Sequence, residues 1–483
     1  MDLRTKAVDG VMWSGVRKLA LNGIEFLLGI ILARLLTPSE FGMIATIMIV
    51  ISISEVFVNS GFRQAIIRKP ECTQVDYSTA FFFNFAIGIL FSIIVFFSAG
   101  WLSVFFKDAE LKPIIQVLGV GLVLNSLSFT QNAQLSRQID FRLLTKVAVI
   151  SSVASGVIAV AMAFAGFGVW SLVAKFLLRL AISSALLWYW NKWKPSLVFS
   201  KSSFRELFGF GSKLLASGLI VKVFQNLNYF VIAKYFSSAD LGYYTRAELF
   251  KNWLSGNVAS TITEVGYPTL AKVQDDPDRM KRVFREMFKS TGFVIIILMA
   301  GLFAISDALV ISLLGEQWRP SIEILQLFCI LGIIQPLNSM NINVLNVVGR
   351  SDLYLKLQII SETIAFPTIF LGIFFGIKAL ILGRIFCTMI SFVLFNLYAA
   401  RYTHYTIKEE LSDILPGLVL GAVMGGAVYA MEFITDLGHW PMLILQILAG
   451  ILIVVLSGEL LKIKIYSMLK NTALVKFRTI RGR

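Results

Sequence analysis

Cysteine and histidine are nearly absent from this chain: its 483 residues hold three cysteines and two histidines. Cys72, Cys329 and Cys387 lie far apart and form no CxxC pair, which excludes a disulfide framework and a thiolate zinc site. His404 and His439 fall in different loops, so no histidine cluster is available for a metal. Charge is scarce too, at 15% of residues. No GxxxxGK[ST] sequence is present, which leaves direct ATP use without a phosphate cradle. The first residues lack the pattern of a cleaved signal and are expected to lead straight into an apolar span.

What fills the chain instead is apolar sequence, 57% of residues, with a mean hydropathy of +0.77. Runs of about 18 residues or more recur almost end to end, each able to cross roughly 30 Å of hydrocarbon. The expected fold is therefore an all-α membrane protein of about fourteen transmembrane helices. The first is placed near 10–35, the eighth near 241–267, the ninth near 290–313, the eleventh near 353–374 and the last near 441–461. No stretch between spans is large enough for a soluble domain. A net charge of +15 invites a nucleic-acid reading, but the positions of the charges argue against one. Of 44 Lys and Arg residues, only Lys107, Lys112, Arg319 and Lys378 fall in the expected outer loops. That asymmetry places both termini in the cytoplasm. The basic segment Lys272–Lys289 and the tail Lys462–Arg483 are then cytoplasmic, where they set topology and meet anionic headgroups.

The chain also repeats itself. Leu32–Gly42 (LARLLTPSEFG) aligns without a gap with Ile232–Gly242 (IAKYFSSADLG), 200 residues later. Ser60-Gly61-Phe62 resembles Val265-Gly266-Tyr267, and Phe167-Gly168-Val169 resembles Phe375-Gly376-Ile377. Six helices make one copy, and six is even, so the copies are parallel repeats about an axis along the membrane normal. The expected organisation is an N-lobe at 1–190, a cytoplasmic linker at 191–207, a C-lobe at 208–400, two additional helices at 401–462 and a basic tail at 463–483. Thr37-x-x-Glu40 and Ser237-x-x-Asp240 read as capping boxes, and Gly42 and Gly242 as points of close helix contact.

A charge at mid-bilayer costs about 2.5–3.5 kcal/mol on insertion scales, so each intramembrane charge needs a partner or a wet cavity. In the first span Lys18, Asn22 and Glu25 share one helix face, with Arg17 adjacent. Lys175 and Arg179 are four apart in the sixth span. The seventh aligns Lys222, Gln225, Asn226 and Tyr229, and the eighth aligns Arg246, Trp253, Asn257 and Glu264. With Arg34 and Lys234 near the outer ends, these side chains are candidate substrate contacts: cations for phosphate or uronate, amides and aromatics for sugar. Snorkelling to the interfaces is the competing role for Arg17, Lys18, Arg34 and Lys234. Glu25, Glu55 and Glu264 are candidate coupling carboxylates for a proton or sodium ion, or simple counter-charges. Glu362 and Arg384 read as an inter-span pair.

The turn ARLLTPSEFG (Ala33–Gly42), the segment TLAKVQDDPDRMKRVFREM (Thr269–Met287) and VGRSDLYLKL (Val348–Leu357) resemble the polysaccharide transporter family. That family includes O-antigen and colanic-acid flippases and belongs to the multidrug/oligosaccharidyl-lipid/polysaccharide (MOP) exporter superfamily. The resemblance covers nearly the whole chain. It implies two six-helix lobes working by alternating access, with two further helices forming a groove for a lipid tail. It also implies transfer of an undecaprenyl-pyrophosphate-linked oligosaccharide from the cytoplasmic to the periplasmic leaflet of a bacterial inner membrane. Expected partners are that anionic lipid-linked oligosaccharide, membrane lipids and polysaccharide polymerase or assembly proteins, with no nucleic acid, no cofactor and no catalytic residue. The competing functions are a membrane glycosyltransferase, polymerase or ligase, which the short outer loops disfavour, and a multidrug exporter of related fold. A surplus of intramembrane cations would repel the cationic drugs of such an exporter.

Overall fold

The structure is a computed structural model that describes residues 3–435, 437–460, 465–467 and 470. The expected tail at 463–483 lies almost wholly outside the described residues. Every regular element among them is helical. In chain order these are α1 (Leu3–Leu35), α2 (Pro38–Asn59), α3 (Phe62–Arg68), α4 (Gln74–Phe105), α5 (Leu111–Arg137), α6 (Phe141–Phe164), α7 (Val169–Asn191), α8 (Lys201–Tyr235) and α9 (Ser238–Thr261). A π-helical turn at Ile262–Gly266 leads into α10 (Tyr267–Ala271), α11 (Pro277–Ala304), α12 (Ser306–Leu314), α13 (Ser321–Val347), α14 (Ser351–Ala365), α15 (Thr368–Phe375), α16 (Ile377–Thr403), α17 (Ile407–Ile434) and α18 (His439–Leu460).

Among the described residues, twelve helical segments are long and apolar enough to cross a membrane. The two remaining long helices, α1 and α9, complete the fourteen expected. Both are less continuously apolar because they carry Arg17, Lys18, Glu25 and Arg34, and Arg246, Glu248 and Lys251. The chain is a multi-pass membrane protein, and its surface is inverted accordingly. Phe97, Val104, Phe433 and Leu460 are each 78% exposed, while Asn84, Gln131, Asn341 and Glu410 are fully buried. Apolar side chains have nothing to gain from burial when the solvent is lipid, whereas polar ones must find partners inside.

By their contacts the helices divide into two units, Met1–Gly242 and Tyr243–Arg483. In the first, α5 packs against α4 and α7, and α6 bridges α1 and α7. The long α8 lies along α2, α3 and α4. It begins at Lys201, inside the stretch read from sequence as linker. The repeated turns take one form: α1 and α8 end at Leu35 and Tyr235, and α2 and α9 begin at Pro38 and Ser238. In the first turn the Thr37 N–H donates to Glu40 Oε2 at 2.6 Å and Glu40 N–H donates to Thr37 Oγ1 at 3.4 Å. In its copy the Ser237 N–H and the Asp240 N–H each donate to the other's side chain at 3.1 Å. The two turns press together through their glycines. A Cβ on Gly42 would overlap the Ser238 carbonyl, and one on Gly242 the Pro38 carbonyl.

In the second unit α11 packs on α17 and α13, and α16 packs on α13, α14 and α15. The span expected near 290–313 divides at Ile305 into α11 and α12, and the one near 353–374 breaks at Pro367 between α14 and α15. Pro336, by contrast, sits inside a continuous α13. The basic segment before the ninth span differs from its expected role. Most of it is the start of α11, N-capped by Asp276, and three of its six cations pair with α17. Lys281 pairs with Glu409 at 2.9 Å, and Arg285 and Lys289 both pair with Asp413, at 2.5 and 2.9 Å. The spacing of four puts all three on one face, where they meet carboxylates rather than headgroups. Tyr405 completes the lock by donating its hydroxyl to Asp413 at 2.6 Å. Burial, with the Asp413 carboxylate beside it, pushes the Tyr405 phenol far above its ordinary value, so it stays a donor at physiological pH.

Asp413 is therefore expected to matter most in this lock. Its side chain is 8% exposed and serves two cations and a phenol. Asp413→Ala should cost about 2 kcal/mol, below the usual figure for a buried pair because Arg285 and Lys289 retain access to solvent. Thermal unfolding of the purified protein in detergent checks this, with Arg285→Ala expected to cost less.

Candidate functional site

Six helices of the first unit bring a group of charges and their polar partners together. Glu25 on α1 accepts from Lys175 Nζ at 2.7 Å, from Arg179 Nη1 at 3.3 Å and from Ser152 Oγ at 2.6 Å. Lys175 and Arg179 come from α7 and Ser152 from α6. On α2, Glu55 accepts from Asn125 of α5 at 3.5 Å, the outer limit of a hydrogen bond. Lys222 of α8 and Arg179 are both close enough to act on the Glu55 charge. Lys222 is half-buried, and its ammonium makes no hydrogen bond among the described residues. Its own carbonyl accepts from the Asn226 amide at 2.7 Å.

The cluster holds three cations and two carboxylates inside membrane-spanning helices. Lys175 is held by Glu25 and is not an open charge. Arg179 is 45% exposed and gives Glu25 one nitrogen, which leaves most of its planar fork available to a ligand. Arg17, half-buried on α1, lies within electrostatic reach of Arg63 of α3. Two like charges held near each other favour an anion between or beside them. Such a site suits phosphate or carboxylate, with an internal carboxylate that an incoming anion displaces.

The other expected contacts fall elsewhere. Lys18 is half-buried on α1, and Arg34 is exposed in that helix's last turn. Lys234 stands at the far end of α8, where its ammonium donates to the Phe105 carbonyl at 2.5 Å and lies 3.8 Å from the centre of the Phe105 ring. That is a packing contact at the repeated turn, well away from Lys222. In the second unit Arg246 is half-buried, Trp253 is 40% exposed and Glu264 is exposed within the π-helical turn. Asn257 donates to the Trp253 carbonyl at 2.6 Å and lines a cavity of about 600 Å³ with Thr261, Glu286 and Ser290. A second cleft of about 330 Å³ runs between α9, α11, α17 and α18, lined by Leu254, Leu298, Met424, Ile447 and Ile451. It is almost wholly apolar and takes in both additional C-terminal helices.

Ser152, Asn125 and Arg63 were not among the expected contacts. Nothing in the spacing of Ser152 marks it off from other serines of α6, whereas Arg63 had a signal as a charge directly after the repeated Ser-Gly-Phe. Lys251 was missed as well. It is 3% exposed on α9, donates to Gln335 Oε1 at 3.1 Å and lies over Phe328. Glu362 and Arg384 form the expected pair, at 3.2 Å.

The helices keep a cation-rich cluster inside and apolar side chains outside, and the fold is the one seen in solved members of the MOP exporter superfamily. The solved lipid II flippase MurJ, in its inward closed conformation, superposes with a TM-score of 0.74 at 15% identity, over 96% of this chain and all of that one. An inward-facing multidrug transporter of the MATE family gives a TM-score of 0.59 at 13% identity, over 82% of this chain and 98% of that one. The chain itself belongs to the polysaccharide biosynthesis protein family, whose model matches residues 31–323. Among its relatives are the lipopolysaccharide biosynthesis protein WzxC of Escherichia coli (strain K12), 23% identical over 77% of this chain and 76% of that protein, and the succinoglycan biosynthesis transport protein ExoT of Rhizobium meliloti (strain 1021), 24% identical over 91% and 89%.

Proposed function

We propose that the protein moves an undecaprenyl-pyrophosphate-linked oligosaccharide from the cytoplasmic to the periplasmic leaflet of a bacterial inner membrane by alternating access, with both termini cytoplasmic. The observation that carries this reading is the surplus of cations around Glu25 and Glu55 inside the membrane. A pyrophosphate or uronic acid supplies the missing negative charge, and the amides of Asn125 and Asn226 suit sugar hydroxyls. The apolar cleft of the second unit fits a polyprenyl chain, which needs a long greasy surface and no polar partner. The relatives' roles in lipopolysaccharide and succinoglycan biosynthesis support a glycan cargo, and the MurJ-like fold supports a lipid-linked one. Export of cationic drugs fits poorly, because Lys222 and Arg179 would repel them.

The direct test is leaflet transfer in proteoliposomes, read as loss of a labelled polyprenyl-pyrophosphate oligosaccharide from one face to a membrane-impermeant enzyme. Purified protein should accelerate transfer well above protein-free vesicles, and a neutral glycolipid of equal chain length should move more slowly. Equal rates with and without folded protein would end the proposal.

A further inference from the structure

Among the described residues of the second unit, one deeply buried carboxyl group has no cation within ion-pair distance. Glu410, in the first turns of α17, is 0% exposed. Its Oε2 accepts from Asn341 Nδ2 of α13 at 3.5 Å, and Asn396 of α16 faces the same carboxyl. Its Oε1 has no partner, and neither has Oδ1 of Asn341, itself 0% exposed. Each side chain of this hydrogen-bonded pair thus keeps one acceptor oxygen unpartnered, and both residues are fully buried. An ionised carboxylate there would have two neutral amides beside it and no cation, an arrangement that costs more than neutralising the group.

The ion-pairing groups around it are engaged with one another, and Lys408 of α17 and Arg282 and Glu286 of α11 stand exposed at the surface. On α17 itself Glu409 pairs with Lys281 and Asp413 with Arg285 and Lys289. Tyr405 gives its hydroxyl to Asp413. On α13 and α16, Glu323 pairs with Lys378 and Arg384 with Glu362, while Arg401 lies over Tyr398. On α18, His439 lies 3.9 Å from Asp307, and Glu459 pairs with Lys470. Among the described residues, no cation forms an ion pair with Glu410.

One hydrogen atom resolves the arrangement. A proton on Oε1 donates to Asn341 Oδ1 while Asn341 Nδ2 donates to Oε2, which closes an acid–amide ring and satisfies both orphaned oxygens. A sodium ion is poorly served there, because two leftover oxygens are too few for a metal-ion coordination shell. We propose that Glu410 is a proton-binding site that couples transport to a proton gradient, loaded while α13, α16 and α17 are packed together and emptied when they part. On parting, water reaches the acid, the O–H bond breaks, the proton passes to water and the carboxylate stays charged. Repacking then requires the proton back. This coupling role rests on the transport function proposed above; the proton site itself does not.

Infrared difference spectroscopy of the full-length protein reads the site without any substrate. The wild type at neutral pH should show the carbonyl stretch of a protonated carboxylic acid, and Glu410→Gln should lose it. In proteoliposomes a pH gradient should accelerate leaflet transfer by the wild type, and in Glu410→Gln the ratio of rates with and without the gradient should fall to unity. Combining Glu410→Gln with Asn341→Asp restores one acid and one amide, and both the infrared band and the gradient response should return. An infrared band that is missing from the wild type or unchanged in Glu410→Gln overturns the proposal. So does a transfer rate set by sodium at fixed pH, or a gradient response that survives in Glu410→Gln. If the wild type moves no lipid yet shows the carboxylic acid, the transport reading fails and the coupling with it, while a band without gradient response in an active wild type sinks the coupling alone.

Discussion

Gly42→Ala and Gly242→Ala should each destabilise the protein more than any other single methyl group added to it. At both sites the new Cβ meets carbonyl and Cα atoms of the facing turn rather than a side chain that can swing aside. The turns themselves are fixed by capping boxes, so relief requires whole helix ends to separate. Overpacking of this kind costs about 1–3 kcal/mol when side chains can adjust, and rigid backbone on both sides puts these two at or above the top of that range. The matching control is Gly209→Ala. A Cβ there meets nothing within 4 Å on a regular helix, and replacing glycine in a helix interior gains about 1 kcal/mol. Thermal unfolding in detergent should therefore move in opposite directions for the two kinds of substitution. Because Gly42 and Gly242 guard one crossing, the double variant should cost clearly less than the two single losses added together. Additive losses would mean that the turns do not share a contact.

The repeated turn was the most legible part of the molecule because its chemistry is strict. A helix start needs a short hydroxyl and an acid three residues on, and a close crossing needs glycine, so both copies keep a recognisable pattern. The charges of α1 and α9 were legible for a related reason: hydropathy passes over these helices, yet residues such as Lys18, Asn22 and Glu25 repeat at helical spacing. Helical spacing identifies a face but not the element that face meets. Glu25 finds its partners on α6 and α7, more than a hundred residues away, and a serine such as Ser152 has no pattern to betray it. Lys222 and Lys234 look alike in sequence and sit twelve residues apart on α8. That distance is about 18 Å along a helix, enough to carry one into a charged cluster and the other onto a backbone carbonyl at the turn. Lys281, Arg285 and Lys289 were read as free for headgroups because their acceptors, Glu409 and Asp413, lie over a hundred residues downstream. Glu410 escaped notice because it is one of two adjacent glutamates at a helix start, where a solvated acid is the ordinary finding.

Charge substitutions in the Glu25 cluster should separate binding from turnover. A charge-assisted hydrogen bond contributes about 1.5–3 kcal/mol, so removing both Lys175 and Arg179 by alanine should weaken binding of a pyrophosphate lipid by about a hundredfold or more. Glu25→Gln should act the other way. The neutral amide keeps the size of the side chain and its bond to Ser152, but it no longer neutralises Lys175 and Arg179. The anionic lipid then binds more tightly, because it does not have to displace a carboxylate. It also leaves more slowly, because no carboxylate returns to replace it. Affinity should rise while the rate of leaflet transfer falls, and the two changes should shrink together as salt is added. Lys234→Ala supplies the comparison: its ammonium is spent on the Phe105 carbonyl, so affinity should hold even if stability drops. Affinity and transfer are both measurable on one preparation, by scintillation proximity with a labelled lipid and by the proteoliposome assay. If Glu25→Gln lowered both in parallel, Glu25 would be a substrate contact or a structural prop, and its place as the internal competitor of the anion would have to be given up.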